Sequence, residues 1–149
     1  MNVIGLMQGR LSPPDRGRLQ SFPTRIWRAE FALAQHAGLS CIEWIYDQES
    51  ESVNPLRTDD GLQEIRRVSE DSGVSVWSVC ADYYMTRPLI EPDGTIHQPT
   101  QRHLSWLLGR LQMLGARHVV LPFVDASSLT TAAQGHAVVE MLRRVVPVA

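Results

Sequence analysis

The chain has 149 residues, 44% hydrophobic and 20% charged, the balance of a soluble globular protein with enough length for one proper core. A formal net charge of −2 gives no electrostatic case for nucleic acid or membrane partners. All 14 cationic side chains are arginine, which excludes a Schiff-base lysine and a P-loop lysine within this chain.

Asn2–Met7 reads as a first strand, followed by Gln8-Gly9-Arg10 and a loop marked by Pro13, Pro14, Gly17 and Pro23. From Thr24 to Ala37 the period becomes helical: Trp27, Phe31 and Ala34 share one face, Thr24 is placed to cap it, and Gly38 closes it. Cys41–Asp47 is the second strand, a β-favouring run with Glu43 inside it and Asp47 at its end. A polar stretch, Glu49–Gly61, leads to a helix over Leu62–Ser72, ended by Gly73, and to a third strand, Val74–Ala81. Asp82–Pro99 is a long loop, and loops of that length in a compact domain are functional or carry short structure of their own. A helix over Thr100–Leu114, a fourth strand over Arg117–Val124 and a last helix over Thr130–Val146 complete the chain, with Trp27, Trp77 and the leucines of the third helix in the core.

Ala37-Gly38-Leu39, Ser72-Gly73-Val74 and Leu114-Gly115-Ala116 each end a helix and each precede an apolar strand. One βα unit is thus used four times, and helical crossovers make the strands parallel. The αβ turns are short and the βα turns long and polar. The expected fold is α/β, a single (βα)4 unit over residues 1–149, half of an eightfold barrel. The alternative is an open doubly wound sheet. Its usual phosphate loop is excluded by the prolines after Gln8-Gly9-Arg10-Leu11, and a receiver-type pocket by the missing lysine.

In parallel α/β proteins ligands bind at the carboxyl ends of the strands. That rim collects Gln8 and Arg10 after strand one, Glu43 and Asp47 on strand two, Cys80 and Asp82 after strand three and Asp125 after strand four. Carboxylates from neighbouring strands can bond hydroxyls or a divalent cation. The plainer readings are loop caps for Asp82 and Asp125, an arginine ion pair for Glu43 and a solvated cation for Arg10. The five histidines have no metal-site spacing. Cys41 and Cys80 fit no metal or redox motif and read as reduced core thiols of a cytoplasmic protein. Met1–Met7 lacks the basic start of a secretory leader, and no stretch reaches the length of a membrane span.

Several motifs in order carry a resemblance. Met7-Gln8-Gly9-Arg10-Leu11-Ser12-Pro13, Gln20-Ser21-Phe22-Pro23, Trp27, Glu30-Phe31, Gly38 and Ile42-Glu43-Trp44-Ile45 closely resemble the opening of sugar phosphate isomerase/epimerase proteins of the xylose-isomerase-like barrel superfamily. Val79-Cys80-Ala81-Asp82-Tyr83-Tyr84-Met85 and Leu121-Pro122-Phe123-Val124-Asp125 are similar to its third and fourth strand ends. The resemblance implies a (β/α)8 barrel with a divalent cation, often manganese, held by Glu, Asp, His and Glu, two of which move the proton beside a carbonyl. Those ligands come from the fifth strand onward, and the chain given stops at Ala149, so no residue here matches one. The expectation is an N-terminal half that supplies the substrate-side wall for a sugar or sugar phosphate, binds no metal and is inactive alone. The alternative is a non-catalytic half-barrel that pairs with itself or a partner. An abasic-site endonuclease of the same superfamily would need histidine ligands on strands two and three and a basic face, and has neither here.

Overall fold

A computed structural model describes residues 3–14, 17–18 and 20–146. In chain order the elements are β1 (Gly5–Met7), α1 (Trp27–His36), β2 (Cys41–Ile45), α2 (Asp59–Ser72), β3 (Ser75–Cys80), α3 (Tyr83–Thr86), α4 (Gln98–Leu114), β4 (His118–Val120) and α5 (Ala132–Val145). The strands make one parallel sheet in the order β1-β2-β3-β4. The long helices neighbour one another in the same order, α1 on α2, α2 on α4 and α4 on α5. Strands and helices that both follow chain order require crossovers of one hand, which stack the helices in one layer on one face. This is the arrangement of a (βα)4 half-barrel with an open sheet and with β1 and β4 as its edges.

Alternation along β2 builds the helix-side core. Trp44 is fully buried, with ring centroids of Phe22, Trp27 and Phe31 at 5.2, 5.4 and 6.5 Å. Its indole N–H donates to Asn54 Oδ1 at 3.2 Å, so the large apolar ring is buried without an orphaned donor. Leu62 and Ile65 of α2 and Leu104, Leu107, Leu108 and Leu111 of α4 fill the same layer, as their helical spacing dictates. Gly73 and Gly115 end α2 and α4 at φ of 70° and 80°, a left-handed turn that side chains with a Cβ resist.

The differences from the sequence expectation have local causes. Pro23 accepts the N–H groups of Ile26 and Trp27, so a separate turn precedes α1 and Thr24 is not its cap. Thr58 caps α2 through the Gly61 N–H at 3.0 Å and starts it at Asp59. The fourth strand is His118–Val120 rather than Arg117–Val124. The last rung is the Ala81 N–H on the Val120 carbonyl, and β3 offers Leu121–Val124 no further partner. Of the first strand only Gly5–Met7 is paired, and Asn2 lies outside the described residues. Trp77 is half-buried, not core: the ladder slips between Ile42 and Glu43, leaving Trp77 as the extra residue of a bulge, with the Arg117 guanidinium 5.0 Å from its ring. The long loop after β3 holds α3 and a bridge between Ile90 and Ile96. No helix among the described residues is long and apolar enough to cross a membrane.

Candidate functional site at the carboxyl ends of the strands

Strand register sets side chains in rows across the face turned away from the helices. From the amino to the carboxyl end these are Gly5–Cys41–Ser75, Met7–Glu43–Ser78–His118 and Ile45–Cys80–Val120. The first row is tight: a Cβ on Gly5 would sit 2.4 Å from Cys41 Sγ and 2.5 Å from its carbonyl oxygen, so only glycine lets β1 approach β2 there.

The second row carries Glu43, the one charged side chain of β2. The bulge at Trp77 brings Ser78 opposite Glu43, and the Ser78 hydroxyl donates to Glu43 Oε2 at 2.8 Å. Among the described residues no ion pair to Glu43 forms. Half-buried on an uncovered face, the carboxylate needs a polar surrounding rather than a counter-charge.

Above it the groups link up. The Cys80 thiol donates to Asp82 Oδ1 at 3.1 Å, and Gln20 Nε2 donates to Asp82 Oδ2 at 2.9 Å. Burial, reinforced by Asp82 and then Glu43, pushes the Cys80 thiol far above its ordinary range. It is a neutral donor, not a nucleophile. Asp47 acts as a clamp between two loops: Oδ2 accepts the Phe22 N–H at 2.7 Å, and Oδ1 accepts the Ser50 N–H and hydroxyl at 2.7 and 2.6 Å. A hollow of about 310 Å³ lies among these groups, lined by Arg18, Gln20, Asp47, Glu49, Asp82 and Met85.

Gln8 and Arg10 part company. Gln8 is fully buried; its N–H donates to the Glu43 carbonyl and its Oε1 accepts the Ile45 N–H, both at 3.0 Å. The side-chain amide thereby adds the next rung where the main chain turns away at Gly9, φ 76°. Arg10 is exposed, with Nη2 3.8 Å from Met7 Sδ. Its loop is fixed from below by Glu30 of α1, a buried carboxyl that accepts the Gly9 N–H at 2.8 Å and the Ser12 hydroxyl at 2.7 Å. Burial raises the Glu30 pKa, and those two bonds and the Arg10 charge work against the rise. Asp125 stands apart from the Glu43–Asp82 group. It is exposed, takes φ 51°, and borders a second hollow of about 530 Å³ with Arg87, Glu91, His97 and Ser128. Asp82 occupies the cap position of α3 without a side-chain capping bond, and Asp125 opens a 3-10 turn.

Sequence reasoning missed Ser78, Gln20 and Glu30 as members of this site, and His103 as an organising group beside it. His103 Nδ1 lies 2.9 Å from the Tyr84 hydroxyl and Nε2 lies 3.2 Å from that of Tyr46, with Tyr83 stacked at 4.3 Å. Burial lowers the His103 pKa, opposed by Glu51, and raises those of Tyr46 and Tyr84. The signal was Tyr46 and Tyr83-Tyr84 following two neighbouring strands, where their rings had to meet the next helix layer.

Both oxygens of Asp47 and of Asp82 are committed to internal donors. Among the described residues no group of three His, Cys, Asp or Glu could hold a metal ion. The rim thus joins carboxylates, a hydroxyl, a thiol and a carboxamide in internal hydrogen bonds. Fold and site together define an α/β half-barrel with a polar rim at the carboxyl ends of its strands. No family model matches the chain, and no curated protein matches it.

Proposed function

We propose that this chain is the N-terminal half of a metal-dependent sugar or sugar phosphate isomerase/epimerase of the xylose-isomerase-like superfamily. It supplies the wall that receives the sugar hydroxyls. The observation that carries this reading is the Glu43–Ser78 pair, placed by the Trp77 bulge beside the Cys80–Asp82–Gln20 chain at the carboxyl ends of the strands. Carboxylate and hydroxyl pairs of this kind bond the vicinal hydroxyls of a polyol. The motifs from Met7 to Ile45 and at both later strand ends support the same reading. The resemblance implies that the cation and the acid/base pair would come from strands beyond the fourth. We place the protein in the cytoplasm, in keeping with its two buried free thiols, Cys41 and Cys80.

The test is exchange of the C3 hydrogen of ketoses with D₂O in the presence of Mn²⁺. The chain alone should give none. Joined to the fifth to eighth strands of a ketose 3-epimerase, it should exchange, and Glu43→Gln should slow that exchange by about tenfold or more. Turnover by the chain alone, or unchanged exchange in the Glu43→Gln fusion, overturns the reading.

A further inference from the structure

One imidazole holds two ends of the rim from the helix side. Tyr46 lies between β2 and Asp47, and Tyr83 and Tyr84 follow Asp82 directly. Their main chains carry the ladder onward: the Tyr46 N–H donates to the Cys80 carbonyl and the Tyr83 N–H to the Tyr46 carbonyl, both at 2.9 Å. The side chains of Tyr46 and Tyr84 are buried, and their hydroxyls meet His103 of α4 at Nε2 and Nδ1. Tyr83 and Trp106 close over the ring, with centroids at 4.3 and 5.1 Å. α4 is thus tied to the strand ends that carry Asp47 and Asp82, with no bond from His103 to either carboxylate.

The two sides of the imidazole differ. On the Nε2 side Glu51 Oε1 lies 3.7 Å away, paired in turn with Arg57, and both act on the Tyr46 hydroxyl. A hydrogen on Nε2 therefore faces a carboxylate. On the Nδ1 side α3 brings the phenols of Tyr83 and Tyr84, with Arg87 at its end acting on Tyr83. Among the described residues the Tyr84 hydroxyl has no hydrogen-bond partner other than Nδ1, so its own hydrogen has only that acceptor. A neutral imidazole has one donor and one acceptor nitrogen, and this network assigns the hydrogen to Nε2 and the lone pair to Nδ1. Burial, which outweighs Glu51, favours that neutral ring. A second hydrogen, on Nδ1, would meet the Tyr84 hydrogen head on. The buried hydroxyl would have to turn away and leave its hydrogen unbonded, which a packed interior resists.

We infer that His103 is a positioning residue of the rim that works as a proton switch. The neutral ring sets the ends of β2 and β3 against α4 through both phenols. Uptake of a proton from solvent on Nδ1 breaks the Tyr84 link and frees α3 from α4. The first turn of α3 passes this on to Asp82, because the Tyr84 N–H bonds the Ala81 carbonyl at 3.1 Å and the Met85 N–H bonds the Asp82 carbonyl at 3.0 Å. The switch belongs to the fold and stands whether or not the rim receives a sugar.

The experiment is a heteronuclear NMR titration of the full chain from about pH 8, where histidine is neutral, downward. It reads the imidazole nitrogens and the main-chain amides. At the start of the titration the His103 ring should carry its hydrogen on Nε2. As the ring takes up its proton, the amide signals of Asp82, Tyr83 and Tyr84 should shift with the same midpoint as the ring itself. Tyr84→Phe removes the hydrogen that opposes Nδ1. It should raise that midpoint, and the Asp82 amide should no longer follow it. His103→Gln, which takes up no proton, should remain folded by circular dichroism and lose the shift at Asp82 altogether. Should that variant not fold, Tyr84→Phe decides alone, since it removes only the hydroxyl from an otherwise unchanged ring. A hydrogen found on Nδ1 at the start, an Asp82 amide that ignores the titration of the ring, or an Asp82 shift that persists unchanged in Tyr84→Phe overturns the inference.

Discussion

The two faces of one sheet are built to different rules by the same five residues of β2. Trp44 points to the helices and is locked among three aromatic rings, with its one polar atom satisfied. Glu43, its neighbour in sequence, points the other way and meets a serine that only a bulge could bring to it. The helix face is close-packed, so its energy lies in volume filled. The inner face is polar and half-open, so its energy lies in hydrogen bonds that water can largely replace. A side chain's cost of removal should therefore depend on which face it serves, more than on how many bonds it makes.

The largest effect should come from the packed face. Trp44→Ala should destabilise the chain by about 3–5 kcal/mol, read as a shift in urea midpoint at constant slope. A loss below about 1.5 kcal/mol would break the comparison. Next comes the rim: Asp47→Ala frees three donors in the two loops it joins and should cost about 1.5–3 kcal/mol in the same measurement. Ser78→Ala, on the inner face, should cost only about 0.5–1.5 kcal/mol. If it costs as much as Trp44→Ala, the inner face is as closed as the outer one.

The smallest effect is a slope with pH. Burial holds the His103 pKa below its ordinary value, so the unfolded chain binds a proton that the folded chain resists. The stability this residue contributes is present above about pH 6.5, the ordinary histidine value. It is lost as pH falls through that value toward the lower folded one. Urea midpoints measured from neutral pH downward should fall more steeply for the native chain than for His103→Phe. Equal slopes would show that the imidazole is not held neutral between Tyr46 and Tyr84.

The parallel fold was legible because its signals are local. Glycines at the ends of three helices and an apolar run after each one are enough to order four strands and three crossovers. Glu43 was legible too, as a charge that a two-sided core would not tolerate. Trp77 was not read correctly: a bulge changes which face a residue serves, and its trace in Val-Ser-Val-Trp-Ser-Val-Cys is the adjacent apolar pair Val76-Trp77, where the alternation changes phase. The reach of the fourth strand was hidden for another reason. Leu121–Val124 has the composition of a strand, but a ladder needs a second chain segment, and that is a property of the partner. Among the rim residues, position in sequence said which would gather at the carboxyl ends. It could not say that Gln8 spends its amide on the main chain, that Asp47 clamps two loops, or that Asp125 lies over a different hollow.

Gln8 has one more consequence. Because its side chain, not a neighbouring peptide, holds the Ile45 N–H, that amide belongs to the sheet in position but not in connection. Its exchange with solvent therefore reports a single event, the docking of the end of β1 against β2, while the amides around it report the opening of the sheet as a whole. Ile45 is thus a built-in probe: in any variant, its exchange compared with that of its strand neighbours separates a frayed first strand from a loosened fold.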